Sequence, residues 1–115
     1  MTMRSTDLKI YQKAERLYAD CEPVLKNFPR YERLGLSLDI NNAFNSLLST
    51  IILANEVMHF RKKYQAEIDG YLSLIIVHFN TAKRKKYITE KRNLLIQNSV
   101  MEIGRMLGGW KKATA

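Results

Sequence analysis

The sequence predicts an all-α protein, an up-down-up-down four-helix bundle, from three observations. Apolar residues recur at helical spacing in four separate segments, and no segment shows the strict alternation typical of a half-buried strand. Short breaks that are polar or contain proline separate the four segments. Helices joined by short connections pack antiparallel, so the pattern favours a bundle. We expect one domain that spans residues 1–115.

The first two helices are predicted at about residues 6–27 and 30–58. The apolar stripe of the first comprises Tyr11, Ala14, Tyr18, Cys21, Leu25 and Phe28. The stripe of the second comprises Phe44, Leu47, Ile51, Ala54 and Met58. Phe28 precedes Pro29, which disfavours helical backbone at Phe28 and should end the first helix. Pro29 is suited to opening the second helix, where its missing N–H is not needed.

The last two helices are predicted at about residues 63–82 and 89–110. The stripe of the third comprises Ile68, Leu72, Ile75, Phe79 and Ala82. The stripe of the fourth comprises Val100, Ile103, Leu107 and Trp110. Thr89 stands directly before the fourth segment, where a threonine hydroxyl can cap the first turn.

The charge is distributed unevenly along the chain, and this asymmetry predicts a polyanionic partner. The net charge is +8, yet residues 1–58 hold seven basic and seven acidic residues. Residues 59–92 hold nine basic and three acidic residues, and residues 93–115 hold three basic residues and one acidic residue. The excess therefore lies in the second half, as in chains that bind nucleic acid.

Two basic clusters flank the third helix and are the candidate nucleic-acid-binding residues. They comprise Arg61, Lys62, Lys63, Lys83, Arg84, Lys85, Lys86, Lys91 and Arg92. Tyr64 and Tyr87 adjoin the clusters and could stack on exposed bases. A plain, well-solvated connection between helices is the alternative. The clusters should lie about 30 Å apart, so either the ligand is long or oligomerisation brings equivalent clusters together.

Catalytic, metal and cofactor sites are not expected. His59 and His78 stand far apart, and neither has a Cys/His or carboxylate cluster near it. Cys21, the single cysteine, lies on an apolar stripe and is expected to be a buried, inert thiol. No leader peptide and no apolar run long enough to span a membrane are visible, so we expect a cytoplasmic protein without a membrane partner.

The segment 102–110 places three glycines and a tryptophan where the apolar pattern predicts helix. We expect Gly104, Gly108, Gly109 and Trp110 to form a packing surface, either within the bundle or between subunits. Glycines one turn apart allow another helix to approach closely, and Gly108 with Gly109 could also loosen or end the helix. The alternative is a simple helix C-terminus.

Two stretches carry a resemblance to a known family. NFPRYERLGLSLDINNAFNSLLSTIILAN at 27–55 and EIGRMLGGWKK at 102–112 resemble the Avd family, the accessory variability determinants of diversity-generating retroelements. The resemblance extends from about Tyr11 to Lys112, and its most specific part is the run at 102–110. The related 23S rRNA intervening-sequence proteins share the Phe-Pro signal but usually lack the terminal Gly-Gly-Trp.

The resemblance implies a barrel-shaped homopentamer of four-helix bundles that binds RNA and/or DNA and associates with the retroelement's reverse transcriptase. The complex copies a template RNA with errors at adenines, and the accessory protein supplies binding and scaffolding rather than catalysis. The alternative is a structural bundle of the intervening-sequence type with a protein or unknown partner. A bundle that binds a small molecule would require a pocket. At residues 83–86 this chain has a basic run where the family usually has a more apolar sequence. The resemblance therefore does not predict the geometry of the turn before the fourth helix.

Overall fold

The computed structural model describes residues 4–114, which contain four long helices and no strand. The helices are α1 (Lys9–Lys26), α2 (Leu36–Glu56), α3 (Arg61–Arg84) and α4 (Glu90–Thr114). Short 3₁₀ turns lie at Ser5–Asp7, Arg30–Glu32 and Met58–Phe60. The all-α prediction is therefore confirmed.

The four helices surround one apolar core. α1 packs on α2 and α4, and α3 packs on the same two helices, so the helices occupy the corners of a square. The molecule measures 45 × 24 × 21 Å. Phe44, Phe79 and Ile75 are fully buried at the centre, as their stripes predict. The arrangement is consistent with a four-helix bundle.

Helix α2 is shorter at both ends than the apolar pattern predicts. It begins at Leu36 rather than at residue 30, because Arg30–Glu32 forms a 3₁₀ turn that continues into a turn at 33–35. Pro29 therefore does not open α2, which corrects the sequence prediction. The helix ends at Glu56, and Met58, predicted as a core residue, is 66% exposed.

The connection between α3 and α4 is a tight turn with a lysine in left-handed backbone conformation. Lys86 has φ 65°, and its N–H donates to the carbonyl of Lys83 at 2.9 Å. The N–H of Tyr87 donates to the carbonyl of Ala82 at 2.9 Å, which completes a Schellman motif. The Thr89 hydroxyl accepts from the N–H of Arg92 at 3.1 Å, so the predicted N-cap is confirmed.

Lys86→Gly is expected to stabilise the protein by about 0.5–1 kcal/mol, because glycine adopts the left-handed conformation without the steric cost of Cβ. Urea unfolding measures the change. Arg84→Gly is the control, since Arg84 lies in the last turn of α3, and this variant should lose about 1 kcal/mol. A Lys86→Gly variant no more stable than the parent would contradict the assigned turn.

The glycine-containing segment remains helical, which corrects part of the sequence prediction. α4 continues through Gly104, Gly108 and Gly109 to Thr114, so the glycine pair does not end the helix. A Cβ atom built at any of these glycines meets nothing within 4 Å in the described part of the chain, so none is a close helix contact within the protomer. Trp110 is partly buried and packs on the protomer's own core.

Candidate nucleic-acid interface

The bundle has two chemically different ends. Because successive helices are antiparallel, the α1–α2 and α3–α4 connections meet at one end, which we call the two-loop end (residues 26–35 and 83–92). The other end, which we call the one-loop end, carries the start of α1, the α2–α3 connection and the last turn of α4 (residues 4–9, 57–63 and 110–114). A 24-residue helix separates the predicted basic clusters by about 35 Å. One protomer therefore presents two separate patches.

The two-loop end brings together most of the predicted basic residues. The predicted residues at this end are Lys83, Arg84, Lys85, Lys86, Lys91 and Arg92. The fold adds Arg30 and Arg33, both exposed, from the α1–α2 connection. The charge pattern did not reveal these two arginines, because the first half of the chain is neutral overall.

A buried carboxylate ties the two connections together. Glu32 is 7% exposed, and its Oε1 accepts from the N–H of Leu36 at 3.1 Å, which caps the first turn of α2. Its Oε2 accepts from the Tyr87 hydroxyl at 2.7 Å and from Lys85 Nζ at 3.1 Å. Gly35 leaves room for this arrangement, since a Cβ there would stand 2.6 Å from Oε1. The carboxylate therefore fixes the position of the basic α3–α4 connection.

The hydrogen bonds from Tyr87, Leu36 N–H and Lys85 hold the pKa of Glu32 below its ordinary value. The ionised carboxylate therefore contributes stability above the unfolded-state pKa of about 4.3, and this contribution is lost as the pH falls through the folded-state pKa. We expect the parent to melt several degrees above Glu32→Gln at neutral pH, with the gap closing below about pH 4. Thermal melts followed by circular dichroism measure both. A gap independent of pH would contradict the assigned role.

The cations at the two-loop end differ in how far their charge is already compensated. Lys85 contacts Glu32, and Lys83 lies 3.6 Å from Glu90. Among residues 4–114, six exposed cations at this end make no ion pair. They are Arg30, Arg33, Arg84, Lys86, Lys91 and Arg92. These six charges are available to an external anion.

Arg61, at the one-loop end, forms hydrogen bonds that connect α3 to the end of α2. Its Nε donates to the carbonyl of Ala54 and its Nη2 to the carbonyl of Asn55, both at 2.7 Å. These bonds satisfy carbonyls of the last turn of α2, and the guanidinium lies 6.0 Å from the Trp110 ring centroid. Arg61 therefore has a structural role in this fold, and its contact with nucleic acid stays a prediction.

The one-loop end also holds exposed cations that make no ion pair among residues 4–114, and these number five. They are Arg4, Lys9, Lys62, Lys63 and Lys112. Lys62 and Lys63 are exposed, and Lys63 Nζ lies 5.9 Å above the Phe60 ring and 5.7 Å above the Tyr64 ring. Lys111 is ion-paired with Asp69. Both ends therefore present uncompensated charge, and the two-loop end presents one such cation more, on and beside two connections that Glu32 ties together.

An open groove between α1 and α2 reaches the two-loop end. It encloses about 750 Å³, and its lining includes Tyr18, Asn41, Arg30 and Arg33. Tyr18 stacks on the buried Phe44 ring at 4.7 Å and donates to Asn41 Oδ1 at 2.7 Å. The lining carries acidic as well as basic side chains, so the groove is less suited to a polyanion than the end itself.

Three further observations bear on other kinds of site. No cluster of three or more His, Cys, Asp or Glu residues able to hold a metal occurs between residues 4 and 114. Cys21 is buried, as predicted, and burial raises the pKa of its thiol to about 12. No helix in the described range is long and apolar enough to cross a bilayer.

The fold and the charge define a small basic helical bundle with six uncompensated cations at its two-loop end. A model of the bAvd-like family matches residues 8–114, and the chain belongs to this family of Avd-type accessory proteins. The family resemblance found in the sequence is thereby confirmed. No curated protein and no solved structure matches the chain.

Proposed function

We propose that the protein is a non-enzymatic, nucleic-acid-binding accessory to a retroelement reverse transcriptase and supports mutagenic copying of template RNA in the cytoplasm. Membership of the bAvd-like family supports the accessory role. The observation that carries the nucleic-acid part is the set of six unpaired cations at the two-loop end. They stand on or directly beside the two connections that Glu32 ties together, so the backbone that carries them is positioned without a bound ligand.

Counterion release would supply most of the affinity at such a patch. Each cation that contacts a phosphate releases condensed counterions, so the logarithm of the binding constant falls linearly with the logarithm of the salt concentration. We expect a slope equivalent to about four to six phosphates. Fluorescence anisotropy with labelled RNA and DNA between about 50 and 200 mM salt measures it. Absence of binding at the lowest salt would contradict the proposal.

The polymerase partnership requires a separate test. Co-expression with a reverse transcriptase of the same retroelement, followed by affinity purification of the tagged polymerase, should recover this protein in a fixed ratio. A structural bundle of the intervening-sequence type would not co-purify. The mass of the same sample by light scattering tests the homopentamer expected from the family resemblance.

The outer face of α3 and α4 supports the oligomeric part of the proposal. Val77, Leu94 and Met101 are each more than half exposed, although they are large and apolar. Gly104 and Gly108 have open space above them within the protomer. Burial of these apolar side chains against a second copy of the chain would be more favourable than their exposure to water.

Gly104→Ala with Gly108→Ala distinguishes a protomer interface from a free helix face. In a lone protomer the pair should raise stability by about 1 kcal/mol per site, because alanine favours helix and meets no neighbour. If this face packs against another subunit, the added methyl groups should reduce the assembled mass. We expect reduced mass together with an undiminished helical signal. Unchanged mass with a higher melting temperature would contradict the interface.

A further inference from the structure

Tyr31 is an exposed aromatic ring at the two-loop end. It belongs to the 3₁₀ turn Arg30–Glu32 and is 77% exposed. Building on the proposed nucleic-acid binding, we propose that Tyr31 is a stacking platform for an unpaired base. The two-loop end would then bind single-stranded nucleic acid in preference to duplex.

A hydrogen-bond chain holds the ring although its faces are exposed. The hydroxyl proton of Tyr87 is donated to Glu32 Oε2 at 2.7 Å, so Tyr87 has only lone pairs left to offer Tyr31. The Tyr31 hydroxyl therefore donates to the Tyr87 oxygen at 2.9 Å. The chain ends on a buried carboxylate, which fixes one edge of the Tyr31 ring. A ring held by its edge loses little freedom when a base stacks on its face.

The surroundings of Tyr31 fit the backbone on either side of a stacked base. Arg30 and Arg33 lie in the same turn or directly after it, and Lys86 precedes the tyrosine that holds the ring. All three cations are exposed and have no ion-pair partner between residues 4 and 114. An aromatic ring among free cations is the combination used to bind single strands without sequence preference.

Duplex nucleic acid would use the same cations but not the ring. Its bases already stack on one another, so their faces are not available to Tyr31 except at ends. The one-loop end offers a comparison. Phe60 is 55% exposed there, but the Lys63 ammonium lies 5.9 Å from its ring centroid, so a cation of the protomer already occupies one side of the ring. Tyr31 is 77% exposed and, within residues 4–114, has no cation over its ring, so it is the more open of the two aromatic rings.

The test compares the parent, Tyr31→Ala and Tyr31→Phe on labelled single-stranded RNA, single-stranded DNA and a blunt duplex. Tyr31→Ala should weaken single-strand binding by about fivefold to a hundredfold and duplex binding by less than about twofold. Tyr31→Phe keeps the ring and should retain most of the affinity. Phe60→Ala at the one-loop end is the matched control and should behave like the parent. Circular dichroism verifies that each variant is folded.

The outcomes separate this inference from the proposed function. Salt-dependent binding that Tyr31→Ala leaves unchanged, or weakens equally for single strands and duplex, would overturn the stacking role and leave the proposed function standing. A parent that binds no nucleic acid in dilute buffer would overturn both. The RNA and DNA arms identify which unpaired strand the platform favours.

Discussion

Replacing Arg84, Lys86 and Arg92 together with alanine is expected to weaken single-strand binding about 100-fold at 0.1 M salt. The three side chains are exposed and without an ion pair in residues 4–114. Each phosphate contact on a single strand contributes about 0.7 to the salt slope, so three lost contacts lower the slope by about 2. At 0.1 M salt that change corresponds to about two decades of affinity. Anisotropy titrations at several salt concentrations measure both quantities.

The matched control is the triple alanine variant of Lys62, Lys63 and Lys112 at the one-loop end. It removes the same formal charge from exposed positions. We expect a loss of less than about tenfold, because only the long-range field of the protein changes. Equal losses in the two triple variants would show that the two-loop end is not a preferred binding surface. That outcome would favour a diffuse field over the whole molecule.

Phe28→Ala is expected to destabilise the protein by about 3 kcal/mol, the largest single-residue effect predicted for the two-loop end. Phe28 is 7% exposed, belongs to the core cluster, and its ring lies 5.2 Å from that of Tyr87. The side chain therefore packs one connection against the other, and its loss leaves a cavity beneath both. Urea unfolding measures the change in free energy.

Phe28→Leu is the control for Phe28→Ala. Leucine keeps most of the buried volume and should cost less than about 1.5 kcal/mol. The alanine variant should also bind single strands more weakly under conditions where it is fully folded, because Tyr87 and the basic connection lose their support. Alanine and leucine variants of equal stability would contradict the role assigned to this ring.

Local spacing predicted the helices well but not the start of α2. The stripe through Phe44 and Ile51 gave the buried face of that helix, because helical periodicity depends on near neighbours alone. The start depends on Glu32, whose partners Lys85 and Tyr87 lie more than 50 residues away in the chain. Contacts at that separation follow from tertiary packing, so the sequence suggested an earlier start, at Pro29.

The charge pattern predicted the cluster at 83–92 but not its full composition. Consecutive basic residues are visible as a run, whereas Arg30 and Arg33 are separate residues on either side of Glu32 and join the site only after folding. Arg61 is a case in which the run of charge did not reveal a structural role. Its position beside Lys62 suggested a binding residue, yet its guanidinium caps α2. Whether a basic side chain has a partner within the protein depends on tertiary contacts, which the spacing of residues in the sequence does not show.

The glycine segment was predicted to pack either within the bundle or between subunits, and the structure bears on the first of these two possibilities. Open space above Gly104 and Gly108 excludes the close contact within the protomer, and the continuous helix excludes a break at the glycine pair. The contact between subunits stays a prediction. Trp110 is partly buried against the protomer's core, with the Arg61 guanidinium 6.0 Å from its ring centroid, and a contact of Trp110 with another subunit also stays a prediction.

The most direct measurement of where nucleic acid binds is photocrosslinking of single-stranded RNA to the full-length protein, with the crosslinked peptides identified by mass spectrometry. The account predicts crosslinks within residues 30–34 and 84–92, with Tyr31 among the modified residues. Crosslinks confined to residues 60–63 and 110–112 would contradict it, because the binding surface would then lie at the opposite end of the bundle.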